Sequence, residues 1–257
     1  MPTTILMYHG VNSVGGGPSN PHCIGERCFS EQIRHLAASN LSVLPWARIG
    51  YSQAEAGAVG LTFDDANRSD VACSRALEQL GYSALFFVPT EYVDCAGRLA
   101  RSDIVDLWRR GMGIGSHGHR HAPLVRLGDA DLERDLSHSK AILEDIVGNR
   151  VVHLSFPGGS YDERVLAVAR AVGYERFYTS DWGSNSDLET ASGVLRRIAI
   201  VDGLAIEAFD DVLRTRYRRG MPARFRVKEL AKSALGERNY LRLRRALVKR
   251  RSDSHQR

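Results

Sequence analysis

Two adjacent carboxylates stand at the end of an apolar stretch. Residues 59–65 read Val-Gly-Leu-Thr-Phe-Asp-Asp, which is typical of a buried strand that ends in Asp64 and Asp65. Side chains alternate along a strand, but where the strand turns into a loop two neighbours can reach one cleft. Two buried carboxylates side by side are costly unless a cation neutralises at least one. The stretch therefore indicates a cation-binding or acid–base site, with an Asp-rich turn as the alternative.

A histidine cluster follows a second short apolar run. Gly113–Ser116 leads into His117, His119 and His121. His117 and His121 are four residues apart, so a single helical turn would place both imidazoles on one face. Two imidazoles and one carboxylate form the mixed nitrogen and oxygen ligand set of hydrolytic zinc centres, which leave a position open for water. The alternative for this segment is a His-rich surface loop.

Several short motifs, in their order and spacing, resemble those of the polysaccharide deacetylase family, also called the NodB homology domain or carbohydrate esterase family 4. The motifs are Leu6-Met7-Tyr8-His9, Thr62-Phe63-Asp64-Asp65, His117 to His121, Ser155-Phe156-Pro157-Gly158-Gly159, Asp181-Trp182 and Leu195-Arg196-Arg197. The resemblance runs from about Ile5 to about Leu213. It implies a distorted (β/α) barrel that hydrolyses the N-acetyl group of a sugar.

Such a hydrolysis needs an activated water, a stabilised oxyanion and a proton for the leaving amine. We assign Asp65, His117 and His121 as ligands of a divalent metal, with zinc as the expected ion, because a bound metal lowers the pKa of its water toward ~7 and polarises the carbonyl. Asp64 is assigned as the general base, since a carboxylate beside the metal can take the proton of that water. The resemblance implies the same division. In a competing assignment both Asp residues are ligands.

The proton donor departs from the family pattern. The family supplies a His from a late Leu-x-His motif, whereas after His153 this chain has only His255. Some family members with a similar Met-Tyr-His opening look circularly permuted, so that the first strand replaces the usual last one. We therefore expect His9 to be the general acid or its orienting partner. The alternative is a buried His9 that donates to a backbone carbonyl.

Other departures concern the support of the site. Ala66 replaces the usual Gly after the two carboxylates, and Gly118 replaces the usual Ser or Thr after the first metal His. Ser155 stands where the family often has an Arg that helps to hold the catalytic base. Arg197, beside a late strand, is the candidate base-orienting replacement, although an Arg after an apolar run is usually solvated.

Three residues are candidates for contacts with the substrate. The backbone N–H of Gly158 or Gly159 could contribute to an oxyanion hole, because glycine lets a backbone approach a ligand closely. Trp182, in the segment that resembles the family's fourth motif, could stack on a sugar or line the acetyl pocket. An ordinary core Trp is the alternative.

Strand and helix patterns alternate along the first 213 residues. Seven strand candidates include Ile5–Tyr8, Val151–Phe156 and Val194–Ile200, and the longest helical pattern spans Asp129–Ile146. Such alternation predicts a parallel sheet, and seven strands can close into a barrel whose functional residues collect at the carboxyl ends of the strands. The predicted fold is α/β, a distorted (β/α)7-type barrel, with a doubly wound open sheet as the structural alternative.

Charge divides the chain into two predicted units. Residues 214–257 carry 16 of the 35 Lys and Arg residues and 3 of the 30 Asp and Glu residues, a net charge of +13 that leaves −8 for residues 1–213. We predict a polysaccharide deacetylase-like catalytic domain over 1–213 and a basic amphipathic tail over 214–257. The apolar face of the tail, formed by Tyr240, Leu243 and Leu247, suits an anionic membrane surface. A solvated tail is the alternative, and nucleic acid binding is not expected because no recognition motif is present.

The amino-terminal residues lack a basic start and a long apolar stretch, so we expect no signal peptide, a cytoplasmic location and reduced cysteines. The expected function is metal-dependent removal of the N-acetyl group from an amino sugar of a glycan or glycolipid precursor, at the inner face of the membrane if the tail binds there. One alternative is hydrolysis of another carbon–nitrogen (non-peptide) amide bond. Another is a glycan-binding pseudoenzyme, because the motif departures weaken the acid and base assignments. A third is a membrane or nucleic-acid adaptor that acts chiefly through its basic tail.

Overall fold

The protein is described by a computed structural model. It covers residues 2–17, 20–50, 57–185 and 193–215. The predicted basic tail, residues 214–257, lies outside the described residues from position 216 onward. Among the helices that the structure describes, none is both long and apolar enough to cross a lipid bilayer.

Ten strands occur in the described residues, and all the paired strands run parallel. Their bounds are β1 (Thr4–Tyr8), β2 (Val11–Asn12), β3 (Ile24–Gly25), β4 (Val59–Asp64), β5 (Leu85–Val88), β6 (Gly113–Ser116), β7 (His153–Ser155), β8 (Arg176–Tyr178), β9 (Val194–Leu195) and β10 (Ile198–Ala199). Strands β2 and β3 form a small separate sheet. The other eight form one sheet in the order β10-β1-β4-β5-β6-β7-β8-β9.

Helices connect most neighbouring strands of the large sheet. Their bounds are α1 (Glu26–Ala38), α2 (Asp70–Glu78), α3 (Arg101–Arg109), α4 (Asp129–Val147), α5 (Glu163–Val172) and α6 (Ile206–Leu213). The sequence explains their ends. The Asp162 side chain accepts the Val165 N–H at 2.9 Å and so caps α5, and Gly173 ends that helix with a φ of 99°, which favours glycine.

The sheet closes through a strand that changes partner. Strand β9 pairs with β8, and β10 pairs with β1 on the opposite edge, yet only Arg196 and Arg197 separate β9 from β10. Residues 194–199 therefore belong to one strand position that bridges both edges, which gives seven positions around the barrel. The side chain of Asn185 holds the break, because it accepts the Arg196 N–H and donates to the Arg196 carbonyl, each at 2.9 Å. The predicted distorted (β/α)7 barrel is confirmed, and the single strand predicted at 194–200 is divided in two.

Apolar side chains fill the amino-terminal end of the barrel. Ile49 is fully buried there and packs in one cluster with residues of β1, β5, β8 and β9. Trp46 lies against Gly113 at the start of β6, where a Cβ would meet the indole at 2.5 Å. Gly113 therefore leaves the space that Trp46 occupies. This packed end leaves the carboxyl ends of the strands for polar side chains.

Candidate active site

Four polar residues lie at the carboxyl ends of four strands of the large sheet. Asp64 is the last residue of β4, and Ser155 is the last residue of β7. His9 directly follows β1 and His117 directly follows β6. Since these strands are parallel members of one sheet, their carboxyl ends meet at the same rim. The sequence motifs are thus brought to one face of the barrel.

The structure brings Asp65, His117 and His121 together as a potential metal site. One ligand atom from each lies within 4.8 Å of the others. Oδ1 of Asp65 is 3.5 Å from Nε2 of His117 and 3.1 Å from Nε2 of His121. Zinc bonds of ~2.0–2.2 Å in a tetrahedral arrangement require donor atoms about 3–3.5 Å apart. The residues present therefore fit a divalent metal.

A backbone contact sets the tautomer of His117. Its Nδ1 lies 2.8 Å from the carbonyl oxygen of Ser155, which can only accept a hydrogen bond. Nδ1 therefore carries the proton, and the lone pair of Nε2 faces Asp65. A histidine that binds a metal commonly donates its other N–H to such an acceptor, which fixes the ring.

The two imidazoles do not meet through a helical turn, and that prediction is wrong. The segment after β6 is a loop in which Gly118 and His121 adopt positive φ angles of 74° and 53°. The loop brings the ring centroids of His117 and His121 to 4.8 Å. Asp135, a buried residue of α4, holds the loop by accepting the N–H groups of His119 and Arg120 at 2.8 and 3.2 Å.

Asp64 forms a buried ion pair with Arg197. Nη1 and Nη2 of Arg197 donate to the two carboxylate oxygens at 2.7 and 2.8 Å. Arg197 is fully buried and Asp64 is 2 % exposed. Nη2 also donates to Oγ of Ser155 at 2.7 Å, and Nε donates to the Thr179 carbonyl at 3.0 Å. The guanidinium therefore occupies the space beside Asp64 that the small Ser155 leaves open, and it is not solvated.

The surroundings of the cluster favour ionised Asp64 and Asp65 and a neutral His117. Burial raises the pKa of Asp64, but the Arg197 guanidinium outweighs it and the net pKa lies below its usual range. Burial also raises the pKa of Asp65, but the hydrogen bond with His121 and the proximity of His117 outweigh burial, so the net pKa lies well below its usual range. For His117, burial lowers the imidazole pKa. Metal ligands need these protonation states.

His9 lies close enough to both carboxylates to contribute to the lowered pKa of Asp64 and of Asp65. Its ring packs against His22, with 4.8 Å between centroids. Among the described residues, Nδ1 of His9 has no hydrogen-bond partner. The alternative in which this nitrogen donates to a backbone carbonyl is therefore not observed.

The predicted substrate contacts differ in availability. The N–H of Gly159 donates to the Phe156 carbonyl at 2.7 Å, so of the two predicted oxyanion donors this one is already engaged within the turn. Gly159 instead permits close packing, since a Cβ there would meet Ser180 at 2.6 Å. Gly158 is exposed. Trp182 is 3 % exposed, so its ring can line a pocket but offers no open face to a sugar.

Three supporting residues were missed by sequence reasoning. Asp135 carries a usable signal, because it is an acidic residue on the buried stripe of α4 that contains Leu132 and Leu136. Tyr92 and Arg98 lie in the segment between β5 and α3, outside any predicted motif. Tyr92 contacts His121, and Arg98 donates to the carbonyl of Asp65. No sequence signal distinguishes them from ordinary loop residues.

The chain matches known proteins over most of the barrel. The family model described as Polysaccharide deacetylase matches residues 52–177. A Bacillus subtilis (strain 168) protein, YxkH, provisionally named a polysaccharide deacetylase, is 23 % identical over 211 residues, which cover 80 % of this chain and 74 % of that protein.

Solved structures share the fold. The polysaccharide deacetylase BC0361 from Bacillus cereus superposes with a TM-score of 0.75 at 23 % identity, covering 83 % of this chain and 69 % of that one. The deacetylase PplD of Streptococcus pyogenes, solved with acetate, gives 0.74 at 19 % identity, covering 83 % and 98 %. The family model, the named relative and the motifs at the rim of the barrel together place this chain in the polysaccharide deacetylase family.

Proposed function

We propose that this protein is a metal-dependent hydrolase that removes the N-acetyl group from an amino sugar of a glycan or glycolipid precursor. Membership of the polysaccharide deacetylase family implies a carbohydrate deacetylase. The observation that carries the finer proposal is the convergence of Asp65, His117 and His121, whose donor atoms suit one cation, directly beside the ion pair of Asp64 and Arg197. Zinc is the proposed ion.

Asp65, His117 and His121 would hold the metal, which when bound polarises the acetyl carbonyl and acidifies water. Asp64 takes a proton from the attacking water as the water oxygen bonds to the acetyl carbon. Oδ2 of Asp64 lies 3.8 Å from Nε2 of His117, which places the carboxylate next to the ligand set. Arg197 fixes both oxygens of Asp64, so the base needs no reorientation during the reaction.

The carbon–nitrogen bond then breaks, and the amine nitrogen must gain a proton. His9 is the proposed donor, because it faces the same rim and has a ring nitrogen without a partner among the described residues. The products are acetate and the free amino sugar. Gly158 stays the proposed backbone donor to the oxyanion, and Trp182 the proposed wall of the acetyl pocket.

Acetate release tests the proposal. Purified protein is loaded with zinc and offered N-acetylated sugars, oligosaccharides and lipid-linked N-acetyl sugars. We expect acetate release by wild type, and a loss of at least ~100-fold in Asp64→Asn with zinc content unchanged. Asp145→Asn is the matched control, because Asp145 pairs with Arg101 at the surface and its side chain is 73 % exposed. Zinc binding without acetate release from any substrate would instead identify a glycan-binding pseudoenzyme.

The tail supports a separate part of the proposal. Residues 214–257 carry a net charge of +13, and a basic segment of this kind is attracted to anionic lipid. We place the enzyme at the inner face of a membrane on that basis. Flotation with vesicles containing anionic lipid should retain the full chain and lose a variant lacking residues 214–257. Equal retention of both would show that the tail has no such role.

A further inference from the structure

The three ligands of the candidate metal site are not equally well fixed. The side chain of His117 is 3 % exposed, whereas those of Asp65 and His121 are 24 % and 28 % exposed. Asp65 and His121 also have positive φ angles, 77° and 53°, and such backbone is strained for residues other than glycine. These two ligands therefore need support that burial alone does not provide.

Tyr92 supports His121. Oη of Tyr92 lies 3.3 Å from Nδ1 of His121, and the ring centroids are 5.5 Å apart. Nε2 of His121 faces Oδ1 of Asp65, so a metal would be bound through Nε2 and Nδ1 would carry the proton. In that tautomer Nδ1 donates to Oη of Tyr92. Tyr92 then has the role for His121 that the carbonyl of Ser155 has for His117.

Arg98 supports Asp65. Its Nη1 donates to the carbonyl oxygen of Asp65 and to Oδ1 of Asn67, each at 2.9 Å. The backbones of Asn67 and Arg98 form an antiparallel bridge. The next residue, Leu99, donates its N–H to the carbonyl of Ala66 at 2.9 Å. The segment around Arg98 therefore holds the strained turn from which the Asp65 carboxylate projects.

A cation–π contact joins the two supports. The guanidinium of Arg98 lies 4.5 Å from the centroid of the Tyr92 ring. Such a contact with an aromatic face is attractive, by about 0.5–1 kcal/mol at exposed sites. Tyr92 and Arg98 thus contact each other and, between them, both partly exposed ligands.

We infer that Tyr92 and Arg98 are positioning residues that set the affinity of the site for its metal. This inference rests on the proposed metal dependence. Neither residue donates a ligand atom in the cluster. Their role is to hold His121 and Asp65 in the arrangement that the metal requires, so that binding need not order the two ligands first.

The test measures zinc affinity and not catalysis. Wild type, Tyr92→Phe, Tyr92→Leu, Arg98→Ala and the double variant Tyr92→Leu/Arg98→Ala are stripped of metal, and the zinc dissociation constant of each is measured by competition with a chromophoric chelator. We expect each single variant to bind zinc about ten-fold more weakly, the lower end of the effect of removing a partner of a metal ligand. Arg109→Ala is the control, because Arg109 is an exposed arginine without an ion pair among the described residues. Its dissociation constant should equal that of wild type.

The pair should also show coupling. Because Arg98 contacts the Tyr92 ring, which Tyr92→Leu removes, the double variant Tyr92→Leu/Arg98→Ala should lose less affinity than the sum of its two single losses. Tyr92→Phe keeps the ring and removes only the hydroxyl, so its zinc dissociation constant tests the inference even if Arg98→Ala fails to fold. Wild-type affinity in both Tyr92→Phe and Arg98→Ala, or an equal loss in Arg109→Ala, overturns the inference. Failure of wild type itself to bind zinc overturns the proposed function instead.

Discussion

The Arg197 guanidinium donates to both oxygens of the Asp64 carboxylate across 133 positions of sequence. Two parallel charge-assisted bonds fix the plane of the carboxylate as well as its charge. Arg197 reaches this position because it lies at the break between β9 and β10, where the strand changes partner. Arg197 thus contacts Asp64 and Ser155 from a strand two positions away from β7 in the sheet.

Removal of Arg197 should cost both stability and activity. Arg197→Met leaves the Asp64 carboxylate buried without its counter-ion, and breaking a buried pair in this way costs about 3–5 kcal/mol. The free energy of unfolding, measured with urea on the metal-free protein, should fall by that amount. The pKa of Asp64 should rise, so the acidic limb of the pH–rate profile should move to higher pH.

The neighbouring arginine provides the control for this measurement. The Arg196 side chain is exposed, and the contacts of Arg196 with Asn185 are made by its backbone. Arg196→Met should therefore unfold at the same urea concentration as wild type. Equal effects of the two substitutions would contradict the importance of the Asp64 pair.

Metal binding should stabilise the fold. A ligand that binds only the folded state at 100 times its dissociation constant adds about 2.7 kcal/mol. Zinc should therefore raise the melting temperature of wild type, and a chelator should reverse the shift and abolish acetate release. His121→Ala lacks one of three ligands, so its melting temperature should respond far less. A full zinc shift in His121→Ala would place the metal elsewhere.

Asp70 should make the protein less stable as the pH rises. Asp70 is fully buried, and neither carboxylate oxygen forms a hydrogen bond of normal geometry to a described residue. Burial, with the nearby Asp65 charge, raises its pKa well above the usual value, which the Asn67 backbone offsets only in part. The folded state then holds a proton that the unfolded state has released, so stability falls above pH ~4, by up to about 1.4 kcal/mol per pH unit.

Asp70→Asn removes this titration. The variant should be more stable than wild type at neutral pH, and its advantage should grow between pH 4 and pH 7. Urea unfolding of the metal-free proteins at several pH values measures the difference. A difference that stays constant with pH would show that Asp70 is ionised in the folded protein.

His153 should make the protein sensitive to acid. Burial lowers the pKa of His153 to about 3, and its Nδ1 lies 2.9 Å from Oη of Tyr178. Between pH ~6.5 and pH ~3, His153 is protonated in the unfolded state and neutral in the folded state. Stability is therefore lost as the pH falls through this window, by up to about 1.4 kcal/mol per pH unit. His153→Asn should show a flatter dependence in urea unfolding from pH 7 to pH 4, and a parallel curve would contradict the assignment.

Much of the fold is predictable from the sequence because its strands are apolar and its helices end at recognisable residues. The predicted strand Gly113–Ser116 matches the observed one. The longest predicted helix, Asp129–Ile146, matches α4, which spans Asp129–Val147. The division of the strand at 194–200 could not be predicted, since it depends on which neighbours each half meets after the barrel closes.

The candidate site was predictable to the extent that residue types carry its chemistry. Asp65, His117 and His121 have ligand atoms, so their spacing was informative. The helical turn predicted to join His117 and His121 is absent, because a loop with positive φ angles at Gly118 and His121 takes its place. Tyr92 acts through a long-range contact, and no local pattern encodes such a contact.

Asn185, in the wall of the barrel, supports the residue next to Arg197. Its amide forms with Arg196 the two hydrogen bonds that an adjacent peptide group would otherwise form. The Asn185 side chain thus takes the place of a neighbouring strand at the break between β9 and β10. Any substitution that cannot mimic a peptide group there would loosen residues 196–197, and the Asp64 carboxylate would lose the alignment that Arg197 gives it.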